Sequence, residues 1–182
     1  PEIVAWLLNI RGYDNPNSPI PNSRLIIDKD KKLILITKKN NTKEIIKEKK
    51  INKNQVVSIK DFPNLINNLK GTNFITDNKS CSIFYEEIIK SKFKILDNED
   101  PIYKLKSIKN LYEINNMIEA HKKDGLALTK FIYWIKKINK KTITELDAQN
   151  KLEKFRKLSK DYLFPSFNTI AGSGSNGAIV HY

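Results

Sequence analysis

The sequence predicts an α/β protein of two domains. Short apolar runs alternate with short helical patterns before Pro101, which indicates a mixed sheet covered by helices. After Pro101 the pattern changes to long helices, with apolar residues at steps of three and four. This change predicts a boundary within residues 97–104, so we expect one domain over residues 1–103 and a second over residues 104–182.

Each element of the first domain follows from a local pattern. The apolar run at residues 3–9 predicts a buried strand, and the segment at 13–23 predicts a loop because its prolines exclude a helix. We further expect a hairpin over 24–28 and 33–38, helices over 41–50, 61–69 and 81–90, and strands over 56–59, 73–77 and 92–96.

The second domain begins with two predicted helices. The first covers residues 110–139 and starts at an asparagine that Glu113 follows three positions later, which resembles a capping box. The second starts near Thr144, with Asp147 at its third position. The apolar run at 167–171 suits a strand.

The net charge of +13 invites a nucleic-acid-binding interpretation. Only three of the 33 basic residues are arginines, the side chain favoured for phosphate and base recognition. Lysine is accompanied by abundant isoleucine and asparagine, and A- and T-rich codons encode all three. We therefore interpret the lysines as solvated surface and expect no nucleic-acid partner, with a functional basic face as the less favoured alternative.

Composition also bears on location. No apolar run approaches the roughly 18–20 residues that a membrane span needs, so we expect no membrane partner. The first twelve residues lack the basic and small-residue features of a signal peptide, and their pattern is typical of a piece of a longer protein. Cys81 is the only cysteine, which excludes an internal disulfide framework and a multi-cysteine zinc site and favours the cytoplasm.

The tail contains three glycines, Gly172, Gly174 and Gly177, in the spacing G-x-G-x-x-G. A dinucleotide site needs a helix after the last glycine and an acidic residue about 20 positions later. Five residues follow Gly177, so the spacing matches a nucleotide loop by letters only. We predict a tight glycine turn that leads to His181.

Other catalytic patterns are incomplete. His121 and His181 are the only histidines, and His121 lies among apolar positions of the predicted helix, where a core or interface role is commoner than metal ligation. Neither Ser173 nor Ser175 has an identifiable base partner. The acidic positions 86–87 and 97–100 are in solvated contexts and receive no catalytic role. Judged on these residues alone, the chain lacks a complete active site.

Four segments, in order, resemble the long-chain Xaa-Pro aminopeptidases (aminopeptidase P). This family belongs to the pita-bread metallopeptidases, peptidase family M24, together with prolidase, methionine aminopeptidase and creatinase. The last segment is a glycine-rich tail that contains His181, and the first is a string of eight residues that chance rarely produces. The segments are AWLLNIRG (5–12), LKSIKNLYEINNMIEAHKKDGLALTKFIYWI (105–135), TELDAQNKLEKFRK (144–157) and SFNTIAGSGSNGAIVHY (166–182).

The resemblance implies a fold and an activity. Residues 1–103 would form most of a creatinase-N-terminal-like mixed-sheet domain, and residues 104–182 the opening helices and first strand of a pita-bread α+β catalytic domain. The family removes the N-terminal residue from peptides with proline second, by attack of a water that two divalent ions, commonly manganese, activate. His181 matches the family histidine that lines the substrate pocket.

The resemblance also has implications for the metal ligands and for the parent protein. The family's metal ligands follow the motif that ends at Tyr182, so this fragment is expected to bind no metal and to be inactive alone. The parent protein would act on Xaa-Pro peptides as a homodimer. Two alternatives stay open: a prolidase or creatinase-like hydrolase of the same superfamily, and a non-catalytic scaffold built on a truncated pita-bread fold.

Overall fold

The computed structural model describes residues 1–38, 42–48, 50–138 and 143–178. It divides into two compact units, Pro1–Ile108 and a second unit that starts at Lys109. The first unit combines helices with small sheets, which confirms the predicted α/β class. In its described residues, the second unit contains two α-helices, then an irregular stretch and a short 3₁₀ helix.

The first unit contains two small sheets. Its elements are α1 (Glu2–Leu7), β1 (Arg24–Ile27), β2 (Leu33–Ile36), α2 (Lys43–Lys47), β3 (Val56–Val57), α3 (Phe62–Asn68), β4 (Asn73–Thr76), α4 (Ile83–Lys90), β5 (Lys94–Asp97) and α5 (Pro101–Ser107). Strands β1, β2 and β3 form one sheet in that order, antiparallel between β1 and β2 and parallel between β2 and β3. Strands β4 and β5 form a second, parallel pair.

Strand β2 lies at the centre of the apolar core. Its neighbouring residues Leu35 and Ile36 point to opposite faces, and each is 1% exposed. Each therefore belongs to a different buried cluster. One cluster contains Ile36, Phe62, Ile66, Ile89 and Phe93, and the other contains Val4, Leu35, Ile51 and Val56.

The strand predicted at residues 3–9 was wrong, because helix α1 covers Glu2–Leu7. Periodicity cannot distinguish a strand from a buried helix in so short an apolar run. Packing decides here, since the helix buries Val4 against Leu35 in the second cluster. The helix ends where Asn9 adopts a φ of 47°, a left-handed conformation that asparagine tolerates.

The predicted hairpin is confirmed, with β1 and β2 in register from Arg24↔Ile36 to Ile27↔Leu33. Its turn depends on Asp28, whose Oδ1 accepts hydrogen bonds from the N–H of Asp30 at 2.9 Å and of Lys32 at 2.8 Å. The turn also uses a φ of 61° at Lys31. The side-chain bonds of Asp28 offset the strain of that conformation.

The remaining predictions for the first unit hold with shorter bounds. Helices α2, α3 and α4 and strands β4 and β5 lie within or beside their predicted ranges. The strand predicted at 56–59 is only two residues long, since a 3₁₀ helix begins at Ile59. The segment at 13–23 is irregular apart from a bridge between Asn15 and Ser18.

The second unit begins with α6 (Leu111–Lys137) and α7 (Glu145–Arg156), both of which start at the predicted caps. Asn110 and Glu113 exchange hydrogen bonds of 2.9 and 3.0 Å between side chain and backbone. Thr144 and Asp147 do the same at 3.2 and 2.8 Å. The two capping boxes satisfy backbone donors that the first turn of a helix leaves unpaired.

Arg156 of α7 joins the two helices through Asp124 of α6. Its Nε lies 2.6 Å from Oδ1 and its Nη2 lies 3.2 Å from Oδ2, so the pair is bidentate. A second ion pair joins Lys123 to Asp161. The predicted apolar stripe of α6 is largely exposed, and Ala127 is the one residue of that helix classed as buried among those described.

The strand predicted at 167–171 was also wrong. This segment is irregular, and the tail continues into a 3₁₀ helix at Gly174–Ala178. Isolated apolar runs need a neighbouring strand to form a ladder. The described residues of the second unit contain no strand that could pair with this segment.

Candidate functional site

The glycine-rich tail is held by the first residue of helix α7. One carboxylate oxygen of Glu145 accepts hydrogen bonds from the Ser173 N–H at 2.5 Å and from the Ser173 hydroxyl at 3.1 Å. The Asn176 amide donates to both oxygens of Glu145 at 3.3 Å. We call this arrangement the Glu145 clamp. It joins Glu145 to two residues that follow it by 28 and 31 positions.

The clamp stabilises the ionised form of its own carboxyl group. The backbone hydrogen bond from Ser173 is the main cause that lowers the pKa of Glu145, and the Asn176 side chain adds to it. Glu145 is partly exposed, so water screens part of this effect. Glu145 is therefore a charged acceptor throughout the neutral range.

Glycine is favoured at two positions of the turn. Gly174 has a φ of 56°, which side-chain-bearing residues rarely adopt. A Cβ on Gly172 would lie 3.0 Å from the carbonyl oxygen of Asn176. The Asn176 N–H donates to the Ser173 carbonyl at 3.1 Å and closes the turn. The predicted tight glycine turn is confirmed.

The clamp also argues against a nucleotide in this turn. Phosphate-binding loops offer free backbone N–H groups to an anion. Here the N–H of Ser173 already donates to an anion, the carboxylate of Glu145. A pyrophosphate at the same position would be repelled by that charge. The glycine spacing therefore belongs to a turn that Glu145 anchors, and not to a nucleotide-binding loop.

A small cavity of about 470 Å³ lies beside the clamp in the second unit. Its polar lining residues are Glu145, Gln149, Asn168, Thr169 and Asn176, which are of types that hydrogen-bond a peptide backbone. Its apolar wall is formed by Leu146, Ile170 and Ala171. Such a mixed lining suits a short peptide better than a purely apolar ligand.

Of the two histidines, the structure describes His121 and not His181. His181, the predicted substrate-pocket residue, and Tyr182 lie outside the described residues. His121 is exposed on α6, and its Nδ1–H donates to the Met117 carbonyl at 2.8 Å. Of the two roles expected for His121, the core position was wrong, because its side chain is exposed on α6, and the interface role stays a prediction.

The metal ligands expected of the family do not occur among the described residues, where no group of three or more His, Cys, Asp or Glu side chains could hold an ion. Two of the acidic positions that received no catalytic role have structural partners. Glu86 pairs with Lys90, and Asp100 caps α5 through the Ile102 N–H at 2.9 Å. Within the described ranges, no helix is long and apolar enough to cross a membrane.

The string AWLLNIRG has a local structural role in the first unit. The guanidinium of Arg11 donates to the carbonyls of Ile10 at 2.8 Å and Ala5 at 3.4 Å, next to the end of α1. Gly12 lies so close to Pro21 that a Cβ would be 2.8 Å from the proline Cβ. This string therefore fixes the path from α1 into the proline-rich loop.

Sequence reasoning did not find Glu145. An acidic residue in the first turn of a helix is common because it interacts favourably with the helix dipole, so nothing local marks it as an anchor. Its partners follow it by 28 and 31 residues. The one available signal was that Glu145 directly follows Thr144, the N-cap residue of a capping box.

Two family models match the chain. A model described as the creatinase/prolidase N-terminal domain matches residues 1–113. A model described as metallopeptidase family M24 matches residues 115–182. Together they cover both compact units.

Several curated proteins are similar to the whole chain. Aminopeptidase P2 of Arabidopsis thaliana is 28% identical over 98% of this chain and 30% of its own length. Xaa-Pro aminopeptidase ApepP of Drosophila melanogaster is 30% identical over 98% of this chain and 30% of its own length. A probable Xaa-Pro aminopeptidase P of Sordaria macrospora is 32% identical, with shares of 98% and 31%. The chain thus spans about 30% of the length of these relatives.

One solved structure has a similar fold. The Xaa-Pro dipeptidase from Bacillus anthracis aligns with a TM-score of 0.62 over 86% of this chain and 42% of its own. The two sequences are 16% identical, so this likeness concerns the fold alone.

Proposed function

The chain belongs to the creatinase/prolidase N-terminal domain family and continues into metallopeptidase family M24, and we propose that the whole protein is an Xaa-Pro aminopeptidase. It would remove the N-terminal residue from peptides with proline in second position. The observation that carries this proposal is the similarity to named Xaa-Pro aminopeptidases over 98% of the chain, through both units.

We assign the substrate-pocket role to His181. The Glu145 clamp supports this assignment, because it fixes the turn at residues 172–177 a few residues before the histidine. A fixed turn limits where the following residues can go, and preorganised groups catalyse better than mobile ones. An imidazole so placed would hydrogen-bond the substrate peptide or the oxyanion that forms during hydrolysis.

The proposal includes two divalent ions, manganese in the first instance, and a metal-activated water as the nucleophile. We place the ligands after the segment that contains His181, because the family resemblance implies that order. None of the described side chains has a proposed role at the metal. The part that this chain contributes is substrate binding and the position of the tail.

The proposal has three further parts. We divide the chain into a creatinase-like domain over residues 1–103 and the start of the catalytic domain over 104–182, and residues 1–182 alone would be inactive. The whole protein would form a homodimer. It would act in the cytoplasm on Xaa-Pro peptides.

The direct test is hydrolysis of an Arg-Pro-Pro peptide by the whole protein with added manganese. We expect release of free arginine, whereas the dipeptide Arg-Pro should be cleaved poorly. Preferred cleavage of the dipeptide would instead indicate a prolidase. No release from either substrate, with folded protein and bound metal confirmed, would contradict the proposal and favour a scaffold.

The role of His181 is tested by its replacement with alanine in the whole protein. We expect a fall in kcat/KM of roughly a hundredfold or more, with metal content near normal. The matched control is His121→Ala, because that exposed side chain has a helix carbonyl as its partner. Loss of metal from His181→Ala would show that this residue is a ligand and not a substrate-binding group.

A further inference from the structure

Three hydrogen-bond donors of the tail converge on the carboxylate of Glu145. They are the backbone N–H of Ser173, the hydroxyl of the same serine and the side-chain amide of Asn176. An ionised carboxylate only accepts hydrogen bonds and offers about four lone pairs, so it can satisfy all three donors at once. The clamp therefore depends on a match between donors and acceptors as well as on distance.

The start of helix α7 holds the backbone of Glu145 in place. Asp147 accepts hydrogen bonds from both the N–H and the hydroxyl of Thr144, each at 2.8 Å, and these bonds close the capping box around the first turn. Asp147 thus meets the needs of the helix start. The carboxylate of Glu145, which directly follows the cap residue, is left to accept from the tail.

The anchored turn lies close in sequence to His181. Asn176, the last residue of the clamp, precedes that histidine by five positions. A chain extends by at most about 3.6 Å per residue, so the histidine backbone lies within about 18 Å of Asn176. A shift of the turn changes where His181 can lie, and a misplacement of about 1 Å can lower a reaction rate by a hundredfold.

We propose that Glu145 is a positioning residue for His181. Its carboxylate holds the turn at Ser173 and Asn176, and the turn sets the place of the imidazole in the substrate pocket. This role rests on the proposed function of His181, and it extends that function to a helix residue 36 positions earlier in the chain. Glu145 itself contacts neither the substrate nor the metal and acts only through the turn.

The match between donors and acceptors predicts how single substitutions behave. Asn176→Asp would place a second carboxylate where the amide now lies 3.3 Å from both oxygens of Glu145, and the repulsion should push the turn away from α7. Glu145→Gln should be mild. Ser173 keeps an acceptor in that variant, and the Asn176 amide can rotate to present its oxygen to the new amide group.

The double variant gives the sharpest expectation. Glu145→Gln combined with Asn176→Asp exchanges the amide and the carboxylate between the two positions. The glutamine oxygen can accept from Ser173, and its NH₂ group can donate to the new aspartate. The change Asn176→Asp should therefore be harmful beside the carboxylate of Glu145 and tolerated in the Glu145→Gln background.

The first experiment measures kcat, KM, metal content and melting temperature of the whole protein, with the Arg-Pro-Pro peptide and added manganese. We expect Asn176→Asp to lower kcat by roughly tenfold or more, and Glu145→Gln by about threefold or less. The double variant should recover to within about threefold of Glu145→Gln. Metal content and melting temperature should stay near those of the unchanged protein.

Two outcomes of this experiment would overturn the proposal. The first is an equal loss of kcat from Asn176→Asp in both backgrounds, which would mean that Glu145 and Asn176 are not coupled. The second is a loss of kcat that metal release or unfolding accounts for, which would give Glu145 a general stabilising role in place of a positioning one.

Ser175→Asp is the matched control for Asn176→Asp. It adds the same charge to the same turn, whereas the hydrogen bonds of the clamp come from Ser173 and Asn176. We expect this control to change kcat by about threefold or less, because solvent screens an exposed charge. A loss as large as that of Asn176→Asp would show that any added charge in the turn is harmful, which contradicts a specific clamp.

Hydrogen exchange of the whole protein separates this proposal from the proposed function. The backbone amides of residues 172–178 should exchange roughly tenfold faster in Asn176→Asp than in the unchanged protein, and the double variant should restore slow exchange. If the unchanged protein releases no arginine but shows this pattern, the proposed function fails and Glu145 still positions the tail. Equal exchange in the unchanged protein and all three variants would overturn the positioning role, whatever the activity.

Discussion

Glu145 and Ser173 are joined by two hydrogen bonds, of 2.5 Å from the serine N–H and 3.1 Å from its hydroxyl. The relationship ties the start of helix α7 to the glycine turn, across 28 residues of chain. It converts an ordinary helix-start carboxylate into the acceptor that positions the tail.

The pH dependence of this anchor follows from the lowered pKa of Glu145. The folded pKa of Glu145 is below its ordinary value of 4.5, mainly because the Ser173 N–H bonds the ionised form. The anchor is therefore complete above about pH 4.5 and is lost as the pH falls through the lower folded pKa. We expect the amide proton signal of Ser173 to follow this titration in NMR spectra.

Glu145→Gln should remove the pH-dependent step from the Ser173 signal. The control is Glu153→Gln on the same helix, whose carboxylate pairs with Lys157 and not with the tail. It should leave the Ser173 titration unchanged. A Ser173 signal that titrates at 4.5 or above would show that the clamp does not form in solution.

Two glycine-to-alanine changes should have opposite effects on the free energy of unfolding. At Gly12 the added Cβ would lie 2.8 Å from the Cβ of Pro21, so we expect a loss of roughly 1–3 kcal/mol. At Gly125, inside α6, nothing lies within 4 Å of the added Cβ, so the better helix propensity of alanine should stabilise by about 0.5–1 kcal/mol. Chemical denaturation measures both, and equal effects would contradict the distinction.

The bidentate pair of Asp124 and Arg156 should contribute modestly to the packing of α6 on α7. Both side chains are partly exposed, at 53% and 38%, so solvent screens the attraction. A double-mutant cycle with Asp124→Asn and Arg156→Gln should give a coupling energy of about 0.5–1 kcal/mol. The coupling should shrink in 1 M salt, and a coupling that is independent of salt would argue against an ion pair.

The core of the first unit predicts a contrast between two isoleucines. Ile66 is fully buried, whereas Ile75 is 63% exposed. Ile66→Val should cost about 0.5–1.5 kcal/mol of unfolding free energy because it leaves a small cavity. Ile75→Val should change the unfolding free energy by less than about 0.5 kcal/mol. Equal costs, measured by urea denaturation, would place the core elsewhere.

Features carried by local sequence could be predicted. Helix α6 extends over 27 residues, and Asn110 and Glu113 identify its start without reference to the rest of the chain. The hairpin over 24–28 and 33–38 likewise follows from two short apolar runs that a polar turn separates.

Features decided by distant contacts could not be predicted. The run at residues 3–9 is compatible with strand or helix, and its packing against Leu35 selects the helix. The run at 167–171 had strand character but has no strand beside it among the described residues of its unit. The Glu145 clamp joins two segments that only folding brings together, so no short motif announces it.

The clamp constrains how chain length can vary in this part of the protein. A helix turns by about 100° per residue, so inserting one residue between the cap at Thr144 and Glu145 would direct the clamp carboxylate away from the tail. The irregular stretch from Leu158 to Ala171 carries no such angular requirement, because a loop can absorb an added residue at little entropic cost. Insertions should therefore be tolerated after α7 and rejected at its first turn.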